Sequence, residues 1–210
     1  MSKVLFTSDT HFRHANIIKF CQRKPFYDPN DFNEEGRWKE KTIKYSKSDA
    51  MTDLGIVNWN NVVDINDEVY HLGDLAWGRT DQVLEILRRL NGRINFIWGN
   101  HDDNLKQVSR ILDFYPDLKN RFKFLGDYAE INIEGQPIIL MHYAMRVWDG
   151  SHRGTWQLYG HSHNSLSDDK NALAFDVGYD CHNLTPITFS KVKEIMSKKE
   201  WKPVDHHGNK

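Results

Sequence analysis

Short apolar runs bounded by turn residues alternate, in the first half of the chain, with segments in which apolar residues recur every third or fourth position. The runs predict buried β-strands at residues 4–8, 68–72 and 94–98. The helical spacing predicts helices at residues 15–21, 80–90 and 103–114, and two helical pieces within residues 36–63. Strands and helices in alternation indicate an α/β fold built on a parallel sheet.

Two of these helices have patterns clear enough to assign a buried face. Thr80 is the expected N-cap residue of the helix at 80–90, whose apolar residues follow at helical spacing. In the second piece of the 36–63 segment, the expected apolar stripe consists of Met51, Leu54 and Val57. Both helices are therefore expected to pack against the sheet.

The pattern changes after Pro116, where strands dominate. Further strands are predicted at residues 122–125, 128–133, 137–141, 155–159 and 172–177, and a helix at 190–199. The predicted fold is therefore a four-layer α/β/β/α sandwich of two mixed sheets flanked by helices. We expect a single domain over residues 1–200, with a helical insertion at about 23–63, and a polar tail over 201–210 that is frayed from residue 202.

Composition narrows the class of protein. The 28 basic and 29 acidic side chains give a formal net charge of −1, so no broad positive field is available to hold a long polyanion. The two cysteines, Cys21 and Cys181, form neither a disulfide framework nor a CxxC pair, which indicates a reducing compartment. No apolar run reaches the length of a membrane span. We expect a cytoplasmic protein that does not associate with membranes.

Polar clusters follow five of the apolar runs, at the points where predicted strands end. They are Asp9-Thr10-His11, Gly73-Asp74, Gly99-Asn100-His101-Asp102, His142-Tyr143 and Gly160-His161-Ser162-His163. Ligands bind at the carboxyl edge of open α/β sheets, so we expect these clusters to meet there. Their carboxylate, amide and imidazole groups are ligands for hard to borderline divalent metals, which predicts a metal site at this edge.

A site for two divalent ions needs a carboxylate that bridges them, together with about three further ligands for each ion. Asp74, alone after its glycine, is the candidate for the bridge. Alternate residues of an extended segment point to the same side, so the Asp-x-His and His-x-His clusters can each supply two ligands. The predicted metal ligands are Asp9, His11, Asp74, Asn100, His142, His161 and His163.

The motifs DxH, GD, GNHD, an apolar run that ends in His, and GHSH follow one another in that order. This ordered set resembles the calcineurin-like metallophosphoesterase superfamily, and the resemblance covers most of the chain, from Asp9 to His163. Each motif alone is weakly specific, whereas the ordered set is highly specific. Residues 176–180 are similar to a late strand of that family. The short length and the start TSDTHFRHANI look most like the small members found in bacteria and their phages.

The resemblance implies a site with two divalent ions, expected to be Mn, with Fe, Zn or Ni as alternatives. It assigns one ion to Asp9, His11, Asp74 and His163. It assigns the other ion to Asp74, Asn100, His142 and His161. The implied reaction is hydrolysis of a phosphate ester by a metal-bridging hydroxide, without a side-chain nucleophile.

The resemblance also implies roles for residues that do not bind metal. His101 is implied to be the catalytic histidine, which donates to the phosphate or to the leaving oxygen. Asp102 is expected to orient His101 or to raise its basicity. The second motif of the family commonly reads GDxxD, and Trp77 stands where its second Asp would be. Because the bridging Asp74 is intact, metal binding is still expected.

Several residues near these motifs have two interpretations. We interpret His71 and His182 as core or turn residues rather than ligands. His14 is an equally good candidate for a substrate contact and for a residue with no role at the site. Arg146 and Arg153 lie in a loop between two ligand-bearing strands, where substrate contacts are common, and an ordinary solvated loop is the alternative.

Aromatic and terminal residues also leave alternatives open. Three aromatic residues either stack on a base or belong to the core, namely Tyr143, Trp148 and Trp156. His206 and His207 could bind metal, although a disordered tail explains them more simply. Asn100 and Asp102, each taken alone, could serve as a helix cap and a first-turn acid. That alternative does not explain five such clusters together.

The predicted substrate is a small phosphate ester, either a phosphodiester or a nucleotide-type molecule. A phosphomonoesterase is one alternative, and a catalytically silent scaffold is another that the complete ligand set argues against. A nuclease needs a basic groove, and its sequence support is one lysine cluster: Lys39, Lys41, Lys44 and Lys47. The helical HD-domain hydrolases, suggested by His101-Asp102, are set aside because this pair follows a predicted strand. The oligomeric state is left open.

Overall fold

Two β-sheets form the centre of the molecule in the computed structural model, which describes residues 2–205. The strands are β1 (Val4–Thr7), β2 (Glu68–His71), β3 (Arg93–Ile97), β4 (Phe122–Gly126), β5 (Tyr128–Ile133), β6 (Gln136–Met141), β7 (Trp156–Tyr159), β8 (Ala174–Asp176) and β9 (Ile187–Thr188). The first sheet has the strand order β4-β3-β2-β1-β9, in which β9 alone is antiparallel to its neighbour. The second has the order β5-β6-β7-β8, in which β5 is antiparallel to β6. Both sheets are therefore mixed.

Helices flank the sheets. They are α1 (Ala15–Phe20), α2 (Lys41–Val62), α3 (Thr80–Arg89), α4 (Asp103–Ile111) and α5 (Phe189–Met196). Short 3₁₀ turns occur at Pro29–Asp31, Leu112–Phe114, Ser151–Arg153 and Tyr179–Cys181. The predicted arrangement of two mixed sheets flanked by helices is confirmed. Within residues 2–205, no helix combines the length and the apolar character needed to cross a membrane.

The core consists of two main apolar clusters, one on each face of the first sheet. Neighbouring residues of a strand point to opposite faces, so Leu5 joins one cluster and Phe6 joins the other. The first cluster packs this sheet against α2, α3 and α4, and the second packs it against the second sheet and α5. Strands buried on both faces explain the uninterrupted apolar runs in the sequence.

The predicted division of residues 36–63 into two helical pieces is wrong, because α2 is one continuous helix. The predicted stripe is also displaced. Met51 is buried, but Leu54 and Val57 are 36% and 52% exposed. The buried face instead passes through Gly55, where an added Cβ would lie 2.7 Å from the ring of Phe12. Because glycine has no side chain, α2 packs closely against Phe12 at this position. The buried stripe of α2 therefore passes through Gly55 and not through its neighbour Leu54.

Two smaller predictions also differ from the structure. Arg79, not Thr80, is the N-cap residue of α3, because the Gln82 side chain accepts a hydrogen bond from the backbone N–H of Arg79. The tail is also not frayed throughout, since the Lys202 N–H donates to the Asn171 carbonyl at 2.8 Å. His206 and His207 lie outside the described residues.

His71 and His182 are core and turn residues, as predicted. His71 is fully buried in β2, and its Nε2 donates to Thr10 Oγ1 over 3.0 Å, because the Thr10 hydroxyl itself donates to the Leu75 carbonyl. His182 Nε2 donates to the Asp176 carbonyl over 2.9 Å. Burial lowers the pKa of His71 to about 3.

This lowered pKa predicts a loss of stability in acid. The unfolded chain protonates His71 near pH 6.5, whereas the folded chain keeps it neutral down to about pH 3, so stability falls as the pH falls between these values. We expect a His71→Asn variant to lose about 1.4 kcal/mol less per pH unit near pH 5 than the wild type. Urea unfolding in the presence of chelator measures the difference. A His152→Asn variant, changed in the Ser151–Arg153 turn, serves as control. Equal slopes for the wild type and His71→Asn would contradict the prediction.

Candidate metal centre

The structure brings the seven predicted metal ligands together at the carboxyl edge of both sheets. Every one of them lies in a segment that directly follows a strand: Asp9 and His11 after β1, Asp74 after β2, Asn100 after β3, His142 after β6, and His161 and His163 after β7. The parallel strands of each sheet end at the same edge, which places these segments side by side.

Asp74 lies between two groups of these side chains. Its Oδ2 atom is 3.5 Å from Nε2 of His11 and 3.6 Å from Nε2 of His142. Its Oδ1 atom accepts a hydrogen bond from the backbone N–H of His101 at 2.8 Å. One carboxylate oxygen therefore faces both groups while the other fixes the side chain.

The first group consists of Asp9, His11 and His163. Asp9 Oδ1 lies 3.7 Å from His163 Nε2 and 4.0 Å from His11 Nε2. Asp9 Oδ1 and His11 Nε2 are both buried, and neither has a hydrogen-bond partner among the described residues. Buried polar atoms are normally paired, so these two atoms and the imidazole of His163 fit a divalent cation. Burial raises the pKa of Asp9 to about 6 and lowers that of His11 well below its ordinary value.

The second group consists of Asn100, His142 and His161. Asn100 Oδ1 lies 2.9 Å from His142 Nε2 and 3.1 Å from His161 Nδ1. His142 Nδ1 donates to the Leu72 carbonyl over 2.7 Å, so Nε2 is the nitrogen presented to the site. An amide oxygen and two imidazole nitrogens thus converge beside Asp74.

The backbone of this site is strained. Five of the ligands have a left-handed conformation that costs a non-glycine residue about 1–3 kcal/mol: Asp9 (φ 57°), His11 (φ 49°), Asp74 (φ 61°), His161 (φ 67°) and His163 (φ 46°). Two glycines allow the segments to approach closely. A Cβ on Gly99 would lie 2.2 Å from Asp74 Oδ1, and one on Gly160 would lie 1.9 Å from Ser8 Oγ. The surrounding fold therefore holds these segments in place against local preference.

Arg23 and Asp180 hold the first group in place, and the sequence did not predict them. Asp180 Oδ2 accepts the Nδ1–H of His163 at 2.7 Å. Arg23 donates to both oxygens of Asp180 at 2.8 Å, and to the carbonyls of Asp9 and Thr10 at 2.7 Å. Burial alone would raise the pKa of Asp180, but hydrogen bonds from His163 and Arg23 outweigh it and lower the pKa to about 2. The carboxylate therefore stays charged and fixes which nitrogen His163 presents.

A metal-binding histidine commonly donates its second N–H to a carboxylate, and removal of that partner costs about 10–100-fold in metal affinity. We therefore expect Asp180→Asn to weaken Mn²⁺ binding by this factor, measured by competition with a chromophoric chelator. Asp113→Asn, which changes an exposed carboxylate outside the site, provides the matched control. Equal affinities for the two variants would contradict the assignment.

Asp102 makes neither a hydrogen bond nor an ion pair with the ring of His101, contrary to our expectation. Its buried carboxylate accepts hydrogen bonds from the backbone N–H groups of Asp74 at 2.8 Å, Leu75 at 3.0 Å and Gly99 at 2.7 Å. Burial raises the pKa of Asp102, and these three hydrogen bonds oppose the shift. Asp102 thus ties the segment after β2 to the segment after β3. The His101 ring is exposed, with its centroid 5.9 Å from that of His11.

His14 lies at the site, as one of its two interpretations required. Its Nδ1 atom is 3.2 Å from Nδ1 of His11, and its ring stacks on Trp77 with the centroids 4.4 Å apart. Burial lowers the pKa of His14 to about 4, so the ring is neutral at neutral pH. His14 and Trp77 both line the cleft at which five of the seven metal-ligand candidates lie.

Arg146 and Arg153 are exposed and do not line this cleft, which favours the solvated loop over the substrate contact. Arg146 lines a separate cavity, and Arg153 lies 3.6 Å from Asp149. Gly150, with φ 72°, turns the chain between them and begins the Ser151–Arg153 turn. The loop after β6 therefore does not direct these side chains towards the metal-ligand candidates.

Of the three aromatic residues that had two interpretations, two belong to the core and one lies at the edge of the site. Trp148 is buried, and its Nε1–H donates to the Thr155 carbonyl at 2.8 Å. Trp156 packs against the cluster between the sheets. Tyr143 is exposed at the edge of the site, with its ring centroid 4.6 Å from that of His161.

A two-sheet sandwich with this set of side chains at its carboxyl edge is typical of phosphoric ester hydrolases that use divalent metal ions. Residues 56–186 match the calcineurin-like phosphoesterase superfamily domain. Over 205 residues the chain is 30% identical to an uncharacterized protein of Methanocaldococcus jannaschii, and the match covers 94% of this chain and 93% of that protein.

Two further proteins are similar to this chain over more than 90% of its length. The chain is 26% identical over 219 residues to the Gene 66 protein of Mycobacterium phage D29, covering 94% of this chain and 97% of that protein. The crystal structure of a protein of unknown function from Aquifex aeolicus has the same fold, with a TM-score of 0.61 and 24% identity, over 93% of this chain and 100% of that one. The chain belongs to the calcineurin-like phosphoesterase superfamily. It is a phosphoric ester hydrolase of a family that uses divalent metal ions.

Proposed function

We propose that this protein binds two divalent metal ions and hydrolyses a small phosphodiester or nucleotide-type ester. The observation that carries the proposal is the position of Asp74, whose Oδ2 atom lies 3.5 Å from His11 Nε2 and 3.6 Å from His142 Nε2. A carboxylate that lies between two groups of ligands can bridge a pair of ions about 3.5–4 Å apart.

The two ions are proposed to share Asp74, and manganese is the proposed metal, with iron, zinc or nickel as alternatives. Asp9, His11 and His163 complete one set of ligands. Asn100, His142 and His161 complete the other. When bound, the ions activate water as a nucleophile and neutralise charge on the phosphate, so the chain needs no nucleophilic side chain.

His101 is proposed to act on the substrate directly. Its backbone N–H is fixed to Asp74 Oδ1, while its ring is exposed beside the cleft. From that position a ring nitrogen can donate a proton to the phosphate or to the leaving oxygen. Asp102 is proposed as a positioning residue, because its contacts fix the backbone that carries Asp74 and Gly99.

A small substrate is proposed in preference to a nucleic acid. Among the described residues, the lining of the cleft includes neither lysine nor arginine. The lysine cluster considered for a nuclease lies just before α2 and in its first two turns. None of these lysines lines the cleft, and Lys47 forms an ion pair with Asp31. A polyanion would lack the charge contacts on which such binding depends.

Hydrolysis of paired reporters tests the proposal. We expect bis-p-nitrophenyl phosphate to be cleaved with Mn²⁺ and not with excess chelator, and to be preferred over p-nitrophenyl phosphate. Preference for the monoester would instead identify a phosphomonoesterase. Failure of the Mn²⁺-loaded protein to cleave either reporter would contradict the proposed activity.

A further inference from the structure

Part of the wall of the cleft beside the proposed metal centre is aromatic. The cleft has a volume of about 620 Å³, and His14, Phe20 and Trp77 line it together with five of the seven metal-ligand candidates. Trp77 is 41% exposed and Phe20 is 65% exposed. Large apolar side chains exposed in a concave site are characteristic of ligand contacts. We call His14, Phe20 and Trp77 the aromatic wall.

Trp77 is held in a defined position directly beside the reacting groups. Its ring stacks on His14 at an interplanar angle of 14°, and its centroid lies 5.2 Å from that of His101. Its backbone N–H donates to the Phe12 carbonyl at 2.7 Å, which fixes the point where the side chain leaves the backbone. The aromatic wall therefore begins next to the histidine proposed to contact the phosphate.

Phe20 extends this surface along α1. Ile17 and Phe20 are three positions apart, so they share one face of the helix, and both line the cleft. Ile17 is anchored in a small apolar cluster with Ile18 and Met51, whereas Phe20 lies outside that cluster. The anchored helix thus presents an exposed ring to the cleft without a core role for that ring.

The charge of the cleft leaves stacking as the main source of affinity beyond the phosphate. Its described lining has no lysine or arginine, and the nearby Lys19, whose Nζ atom lies 5.1 Å from the centroid of the Phe20 ring, donates to the Gly36 carbonyl at 2.8 Å. A flat ring packed on aromatic side chains gains both apolar burial and favourable ring geometry. The volume of the cleft is also within the range of sites for small ligands.

We propose that the ester hydrolysed at this site carries a flat aromatic ring, such as a nucleobase or a phenyl group, which packs on the aromatic wall. This inference rests on the proposed function, since it specifies the ester that the site takes. Phe20 and Trp77 are then the residues that determine specificity. Esters with small aliphatic groups occupy the phosphate position without this contact.

Two phosphonates that cannot be hydrolysed test the proposal. Benzylphosphonate and methylphosphonate carry the same charged group and differ by the ring. In calorimetric titrations of the Mn²⁺-loaded protein, we expect benzylphosphonate to bind about tenfold more tightly than methylphosphonate. Phe20→Ala and Trp77→Ala should each reduce the ratio of the two affinities towards one, and Trp77→Phe should retain most of the difference. Phe114→Ala removes an exposed aromatic ring outside the cleft and should retain the full ratio.

The outcomes separate this inference from the proposed function. Equal affinities in the wild type, no binding of either phosphonate, or a ratio unchanged in both alanine variants would overturn the role of the aromatic wall. Hydrolysis of bis-p-nitrophenyl phosphate, measured separately, depends on the metal centre and tests the proposed activity. If the protein cleaves this reporter but binds both phosphonates equally, the proposed function stands and the proposed role of the aromatic wall is refuted.

Discussion

An Asp74→Asn variant is expected to lose at least about 10³-fold in kcat/KM for bis-p-nitrophenyl phosphate, since a bridging ligand supports several kcal/mol of charge stabilisation. An amide has a single acceptor oxygen. If that oxygen keeps the hydrogen bond from the His101 N–H, the amide NH₂ faces His11 and His142, where the bridging oxygen was. The variant should therefore also bind less Mn²⁺, which metal analysis after gel filtration measures.

The control for this experiment separates the loss of metal from the loss of fold. Asp74→Asn should unfold in urea, with chelator present, at nearly the same concentration as the wild type, because the hydrogen bond to His101 is preserved. The Asp113→Asn variant, which changes an exposed carboxylate outside the cleft, should retain activity. Normal turnover by Asp74→Asn would refute its role as the bridging ligand.

Removal of the Asp102 carboxylate is expected to have the largest effect on stability. Asp102→Ala leaves three buried backbone N–H groups without acceptors, those of Asp74, Leu75 and Gly99. Each unpaired buried donor costs about 1–3 kcal/mol, so the free energy of unfolding should fall by at least about 3 kcal/mol. Urea unfolding in the presence of chelator measures this loss independently of metal binding.

Asp102→Asn is the informative companion variant. It retains one acceptor oxygen, so its loss of stability should be clearly smaller than that of Asp102→Ala. If Asp102 acted mainly through the ring of His101, both variants would have nearly wild-type stability, and the pH dependence of kcat would shift instead. That result would contradict the positioning role.

The metal-ligand candidates could be found from sequence because their signal is local. Each follows an apolar run, and the carboxyl ends of parallel strands necessarily meet at one edge. Arg23 and Asp180 could not be found in this way. They are 157 positions apart, and their ion pair exists only because the fold places both beside His163.

The other differences between prediction and structure occur where tertiary contacts decide among local arrangements that the sequence allows equally. The stripe of α2 was displaced because Gly55, not Leu54, approaches Phe12. The expected contact between Asp102 and the ring of His101 does not form, because the Asp102 carboxylate accepts from backbone N–H groups of the segment after β2 and of its own segment after β3. Arg146 and Arg153 follow a ligand in sequence, but the direction of a loop cannot be read from its composition.

The most direct test of the central claim is a crystal structure of the Mn²⁺-soaked protein, with anomalous scattering used to locate the metal. We predict two ions per chain that share the carboxylate of Asp74. One should contact Asp9, His11 and His163, and the other Asn100, His142 and His161. A single ion, or two ions that do not share Asp74, would contradict the proposed dinuclear site.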